Sequence, residues 1–500
     1  MSELKKFFLD QHGCAKNQVD GELLINRLVN KGLTQVFNAD EADLIVVNSC
    51  GFIESAKKES IDAVLGAKAT YPNAKLLLAG CLAERYAEDF REALPEADAI
   101  FGNGDLTKID DVIDSLNKSE RPVVKPEQKG VCCGDRNLLL SFSGSSYVKI
   151  TEGCNNNCSY CAIPIIRGGL RSRKACEIVS EIKELLAKGV FEFNLVGQDL
   201  AAYGTGKDDD VYGQGRSPLN CKDGKPSPLS RLLKDISAID GDFWVRLLYI
   251  HPDHFTSDIL PVIKADKRIL PYFDIPFQSG DNAMIKAMNR VGNADEYVKI
   301  ANTIRSELPD SALRTTFLTG FAGETEEAQE NTKAFLKKIS FDWSGCFSYS
   351  KEDDTVGAKM KKQVPHKIAE KRALELEELQ AAITKERLAK RCGKEYDVLI
   401  EEIVEGEENG LAIGRAWFQA PEVDGSVVVS YDKDDEKAVS AIKSGRLVRV
   451  KILSSGGVDL NGEFVSDSPL NKNRAKSSIA FAEERINENA RGMSINSDNQ

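Results

Sequence analysis

Cys154, Cys158 and Cys161 stand in the stretch TEGCNNNCSYCAIP, residues 151–164, with the spacing C-x3-C-x2-C. Three thiolates on one short loop can hold three corners of a cubane iron–sulfur cluster, whereas a fully ligated cluster takes a fourth protein ligand. An iron left open binds a small molecule directly, so the missing ligand is read as a substrate or cofactor. The other chemistry open to these residues is a zinc site completed from elsewhere. Zinc knuckles more often pair two C-x2-C motifs, and the chain has no second one.

Cys14, Cys50 and Cys81 are far apart in sequence but share a context. They follow the apolar runs in FFLDQHGC, LIVVNSC and LLLAGC. Strand ends in an open parallel sheet lie along one edge, where ligands bind. Three cysteines at three such ends can converge as a second three-cysteine cluster site. The alternative is three buried structural thiols, since free cysteine is often buried.

The elements that must position these residues alternate between strand and helix. Apolar runs at 5–10, 42–48, 74–80 and 98–102 are separated by stretches of helical spacing such as GELLINRLVNKG. That alternation predicts a parallel sheet covered on both faces. From Tyr147 it resumes with six strand candidates, beginning at 147, 191, 244, 272, 313 and 347. Six βα units make a partial barrel, and the loop holding Cys154 follows its first strand, where barrels place active sites.

The expected fold is α/β and multidomain. Residues 1–120 form an N-terminal doubly wound parallel sheet and 121–146 a linker. Residues 147–364 form the partial (β/α)6 barrel and 365–394 a connecting helix, with Leu374, Leu379 and Ile383 on its apolar face. Residues 395–465, rich in short β-branched runs, predict a small OB-like β-barrel. The stretch 204–227 reads as a mobile insertion, and the polar tail 466–500 as disordered.

The chain has 500 residues, 42% hydrophobic and 29% charged, with a formal charge of -12. An acidic chain is not a general nucleic-acid binder, which needs a basic field to meet phosphate. The N-terminus lacks a signal-peptide core and no apolar run has membrane-spanning length. A cytoplasmic location without a membrane partner follows, and the twelve cysteines are then thiols or ligands rather than disulfides.

C-x3-C-x2-C with Tyr160 before the last cysteine resembles the radical S-adenosylmethionine enzymes. GCAKNQVDGE, NSCGFIESAKKESI, AGCLAERY, VGQD, VRLLYIHPD, PYFDIPFQ, LRTTFLTGFAGETEE and GRAWFQAPEVDG extend the resemblance to the methylthiotransferase family, over about residues 5–460. The resemblance implies two [4Fe–4S] clusters, one on Cys154, Cys158 and Cys161, the other on Cys14, Cys50 and Cys81. It implies S-adenosylmethionine on the open iron of the first, cleaved to a 5′-deoxyadenosyl radical, with methyl from a second molecule. It also implies that the last barrel is a TRAM domain, and that sulfur and electrons come from outside donors.

For S-adenosylmethionine, Tyr160 is expected against the adenine, with Gln198 and Asp199 at the second strand end and Arg246, Gln278 and Thr316 on later strands. The wording favours the branch that modifies the β-carbon of an aspartate in small-subunit ribosomal protein S12. Ser279, Gly21 and Gln419 depart from that branch's pattern. Residues 395–465 carry 15 acidic against 7 basic residues, which suits a basic protein partner, nucleic acid not being required. Arg415 and Trp417 are expected to contact that partner. The alternatives are tRNA adenosine methylthiolation by the same chemistry, and a zinc-bearing RNA-binding module without catalysis. Cys132 and Cys133 are read as bystanders, and Cys176, Cys221, Cys346 and Cys392 as structural. His12 is a helper or structural residue, and His251, His254 and His366 form no hydrolytic triad.

Overall fold

The strand Leu44–Ser49 is buried at every position, as a strand covered on both faces must be. In the computed structural model, which describes residues 3–218, 225–406, 409–472 and 474–482, it lies inside a six-stranded sheet. The order is Thr34–Gln35, Lys6–Gln11, Leu44–Ser49, Lys75–Gly80, Ala99–Phe101, Val123–Val124, and every pairing is parallel. Chain direction along the sheet switches between Lys6–Gln11 and Leu44–Ser49, so a crevice opens beyond their carboxyl ends. The sixth strand lies inside 121–146, so part of the expected linker belongs to this sheet.

Six parallel strands form the partial barrel in sequential order: Ser145–Lys149, Glu192–Val196, Trp244–Leu247, Ile269–Asp274, Ala312–Thr319 and Trp343–Ser348. Helices cover them by the usual spacing; Ala175–Ala187 buries Ile178, Ile182 and Leu185 against the sheet. The first strand begins two residues before the expected Tyr147.

The helix His366–Ala389 packs along the last barrel strand. It buries Ala369, Ala373, Leu376, Gln380, Thr384 and Leu388. Leu374 is 58% exposed, so the apolar face is not the one expected from Leu374. Gln380 and Thr384 sit on the buried face because their side chains hydrogen-bond the carbonyls of Phe341 and Asp342 at 2.9 and 2.8 Å.

Residues 395–467 close a five-stranded barrel. It docks at the amino-terminal ends of the partial-barrel strands: Trp343 donates to the Phe418 carbonyl at 2.8 Å, and Tyr272 to Asp424 at 2.6 Å. The expected tail is partly ordered. Ala480–Phe481 pairs in parallel with Leu138–Leu139, and Ile479 and Phe481 are buried. Residues 483–500 of that tail, and 219–224 of the insertion with Cys221, lie outside the described residues. Among the described residues no helix is long and apolar enough to cross a membrane.

Candidate active site between two cysteine sets

Register brings the N-terminal cysteines together. Gln11 lies opposite Asn48, and Ser49 opposite Gly80, so three neighbouring strands end at one level. Cys14 caps the helix Ala15–Asn30, Cys50 follows its strand directly, and Cys81 opens the helix Cys81–Ala93. Gly13, at φ +91°, is pressed so close to Cys50 that a β-carbon there would lie 3.5 Å from its sulfur. Asn17 ties the level together, donating to the carbonyls of His12 (2.8 Å), Asn48 (3.2 Å) and Ser49 (3.3 Å).

The barrel cysteines sit on the loop after Ser145–Lys149. Asn156 anchors that loop to Asp199 at 3.0 Å, and the amide of Ile163 donates to the Cys161 sulfur at 3.4 Å. His251 points Nε2 at the Cys158 sulfur, 3.8 Å away.

The two sets face each other. The short helix Ile163–Arg167, just past Cys161, packs on the helix that begins at Cys81, and Cys81, Ala162 and Ile166 form one buried apolar contact. Arg167 spans the gap, donating to the Cys81 sulfur at 3.0 Å while pairing with Asp20 and Glu152, each at 2.9 Å. Lys149 completes the buried network, pairing with Asp20 and with Glu152 (2.8 Å). Burial alone would raise the Glu152 carboxyl; the charges of Arg167 and Lys149 outweigh it and hold it below the usual carboxylate range.

The donor sets fit iron–sulfur clusters. Burial pushes the Cys81, Cys154 and Cys161 thiols up to about 12, so they ionise only when a metal takes the proton's place. The sulfurs are nevertheless met by N–H donors: Arg167, Asn103 (3.4 Å) and the Ile163 amide. Such donors stabilise thiolate rather than thiol.

Beside the barrel loop and Phe52, two residues after Cys50, lies a cavity of about 540 Å³. Tyr160, Gln278 and Thr316 line it. Tyr160 is fixed by Arg290, which donates to its hydroxyl at 3.0 Å, and by Phe321 edge-on at 6.3 Å. Gln278 holds φ +69° and bridges to Phe317, which turns the chain inward at the strand end.

Other expected residues are placed elsewhere. Arg246 is fully buried at the opposite, amino-terminal end of the barrel, paired with Glu192 at 2.9 Å and donating to the Trp417 carbonyl. It does not reach the cysteine loop. Arg415 is 2% exposed, between Glu192 (2.7 Å) and Glu401 (2.5 Å), so it is a domain-joining residue rather than a surface contact. Trp417 keeps one edge accessible in a groove with Trp244 and Tyr396. Asp199 is 1% exposed and takes donors from Asn156, His254 and the amides of Ala201 and His251. Its carboxylate is spent on positioning the loop. Gln198 donates to Glu152 at 3.1 Å.

The sequence alone did not single out Lys16, Arg167 or Arg290, and weighed His251 only against a hydrolytic triad. The available signal was position: Lys16 lies two residues after Cys14, Arg167 six after Cys161 and His251 four after the strand Trp244–Leu247, whereas Arg290 carried none.

Residues 148–336 match the Radical SAM superfamily, 392–465 the TRAM domain, and 6–102 a family described as uncharacterized protein family UPF0004. A ribosomal protein uS12 methylthiotransferase RimO of Treponema denticola is 52% identical, over 91% of this chain and all of that one. Its namesake from Carboxydothermus hydrogenoformans is 36% identical, over 92% of this chain and all of that one. Among solved structures, a radical S-adenosylmethionine methyltransferase, TsrM, of Kitasatospora setae superposes with TM-score 0.50 at 11% identity. The superposition covers 69% of this chain and 73% of that one, which supports the shared fold.

Proposed function

The chain belongs to the ribosomal protein uS12 methylthiotransferase family, and on that premise we propose that it inserts a methylthio group at the β-carbon of an aspartate in small-subunit ribosomal protein S12. Such a C–H bond has no acidic proton and no leaving group, so general acid–base machinery is insufficient. Two [4Fe–4S] clusters and S-adenosylmethionine, when bound, supply the radical that takes the hydrogen and the methylthio group that replaces it.

This chain's residues hold, orient and exclude water. Cys154, Cys158 and Cys161 would hold the cluster that binds S-adenosylmethionine, and Cys14, Cys50 and Cys81 the other. Tyr160, Gln278 and Thr316 line the cavity where S-adenosylmethionine would lie. Asp199 fixes the loop through Asn156, and Phe321, Tyr349 and Met288 pack dry beside Tyr160. The single observation that carries the reading is the Arg167 bridge, which joins the cysteine loop's helix to Cys81. It makes one site of two cysteine sets.

The acidic terminal barrel supports a basic protein substrate. Its turn Asp432–Glu436 is exposed throughout and holds four carboxylates, which steer a basic partner. Electrons and sulfur come from external donors in this reading, and work on a ribosomal protein supports a cytoplasmic location.

The test is anaerobic reconstitution with reductant, sulfide and S-adenosylmethionine, offering S12 and unfractionated tRNA separately and weighing each product. A methylthio mass gain on an aspartate peptide of S12 is expected. A gain on tRNA alone would overturn the substrate, and zinc instead of iron with no gain would overturn the activity.

A further inference from the structure

Lys16 is buried, 9% exposed, two residues after Cys14 in the first turn of the helix Ala15–Asn30. Among the described residues its ammonium has neither an ion pair nor a hydrogen bond. The other buried lysines differ: Lys149 pairs with Asp20 and Glu152, and Lys57 with Glu54 and Glu352. Buried charges are normally paired, because an unpaired one loses its hydration without return. The partial compensation here is the face of Tyr249, whose ring centroid lies 3.6 Å from the ammonium.

The setting puts that charge where the Cys14 helix meets the barrel's carboxyl-end mouth. Tyr249 lies just beyond the strand Trp244–Leu247, at the barrel's carboxyl-end mouth, with φ +69°. A left-handed backbone at a bulky residue is strained and persists only where the surroundings impose it. The nearby ion pairs do not include Lys16, although Asp274 and the Cys14 sulfur act on it at longer range. Asp274 takes Arg314 at 3.3 Å and the Tyr249 amide at 3.3 Å, and Arg167 is balanced by Asp20 and Glu152. Lys16 is the buried cation that joins none of these pairs.

We propose that Lys16 binds the side-chain carboxylate of the substrate residue. The assignment rests on the aspartate reading above. In aspartate the carboxyl carbon is bonded directly to the β-carbon. Gripping that carboxylate beside Cys14 fixes the reacting carbon between the two cysteine sets and leaves its C–H bond free. A hydrogen bond to a charged group is worth about 1.5–3 kcal/mol, roughly ten- to a hundredfold in affinity. An uncharged side chain of the same shape forfeits most of that.

The experiment compares S12 with S12 whose target aspartate is changed to asparagine. Each is titrated anaerobically into the cluster-loaded protein by fluorescence anisotropy, and kcat/KM is measured for the aspartate form. The wild-type protein is expected to bind the aspartate form at least about tenfold more tightly. Lys16→Met should erase the difference, and Lys16→Arg should keep most of it. Cluster absorbance and melting midpoint show whether Lys16→Met is folded. Equal wild-type affinity for the two forms overturns the assignment without relying on any variant. So does Lys16→Met that loses turnover while still discriminating, which would tie Lys16 to the sulfur chemistry at Cys14. If the wild-type protein modifies no aspartate of S12, the function reading fails and the assignment falls with it; if it modifies S12 and Lys16→Met does so equally well, only the assignment falls.

Discussion

Arg167 donates a hydrogen bond to the Cys81 sulfur at 3.0 Å from a helix that starts two residues after Cys161. One guanidinium thereby touches a cysteine of one set while its backbone is anchored beside the other. Donors to cluster sulfurs raise the reduction potential by stabilising the added electron. Arg167→Met should therefore lower the midpoint potential of the cluster on Cys14, Cys50 and Cys81. It should leave the cluster on Cys154, Cys158 and Cys161 nearly unchanged. Redox titration followed by electron paramagnetic resonance separates the two signals, and equal shifts in both would refute a local effect.

Among the described residues the same substitution leaves Asp20 and Glu152 with Lys149 as their one ion-pair partner. Breaking a buried pair by removing one partner typically costs about 3–5 kcal/mol. Arg167→Met should therefore lower the melting midpoint as well. Arg167→Lys should recover part of the stability but little of the potential, because a lysine cannot span the carboxylates and the sulfur at once.

His12 gives the stability a pH dependence near neutrality. Asp10, 3.2 Å from Nε2, raises its pKa most; burial opposes it, and Glu59, 3.0 Å from Nδ1, adds to the rise, reaching about 9. A group whose pKa is higher folded than unfolded contributes stability that is complete below the unfolded value of 6.5. That stability is lost as pH rises through about 9. Melting midpoints should fall between those limits, and His12→Asn should flatten the slope. Glu59 is largely exposed, so added salt should shrink the effect.

The convergence of Cys14, Cys50 and Cys81 was legible because each follows an apolar run, and strand ends in a parallel sheet share an edge. The six-strand barrel was legible for the same reason. Pairings across domains were not. Arg415 stands near the end of the strand Gly410–Ala416, two residues before Trp417, but its partner Glu192 lies 223 residues away, and no periodicity reports such a contact. Arg246 shares that carboxylate, so a strand position that looked inward toward a cofactor points inward at the wrong end. The segment Ile479–Phe481 is a short apolar island whose pairing strand, Leu138–Leu139, lies in what read as linker.

Cys14→Ala and Cys154→Ala should behave alike in activity and differently in spectroscopy. Each should abolish methylthiolation of S12, since either set of three ligands is left with two. Each should also retain about half the iron, because the other cluster keeps its ligands. Only Cys14→Ala should still show the spectral change on adding S-adenosylmethionine. Iron analysis and anaerobic electron paramagnetic resonance decide the matter; loss of both clusters from either variant would mean that the two sites assemble as one unit.

Arg415 tests what holds the terminal barrel in place. Burial alone would raise the Glu192 carboxyl, yet the charges of Arg415 and Arg246 hold it well below the usual carboxylate range. A depressed carboxyl contributes stability above its unfolded pKa and loses it as pH falls through the folded one, so this junction should weaken on the acid side, below about pH 4.5. Arg415→Ala leaves Glu401 without its arginine and Glu192 with Arg246 alone, a loss of about 3–5 kcal/mol for a broken buried pair. The expected result is a separate, earlier unfolding transition for residues 395–467 and protease cleavage near the end of the helix His366–Ala389. S-Adenosylmethionine binding at the far end of the radical barrel should be unchanged. A single unshifted transition would show that Trp343 and Tyr272, which also bond to the terminal barrel, hold the junction without Arg415.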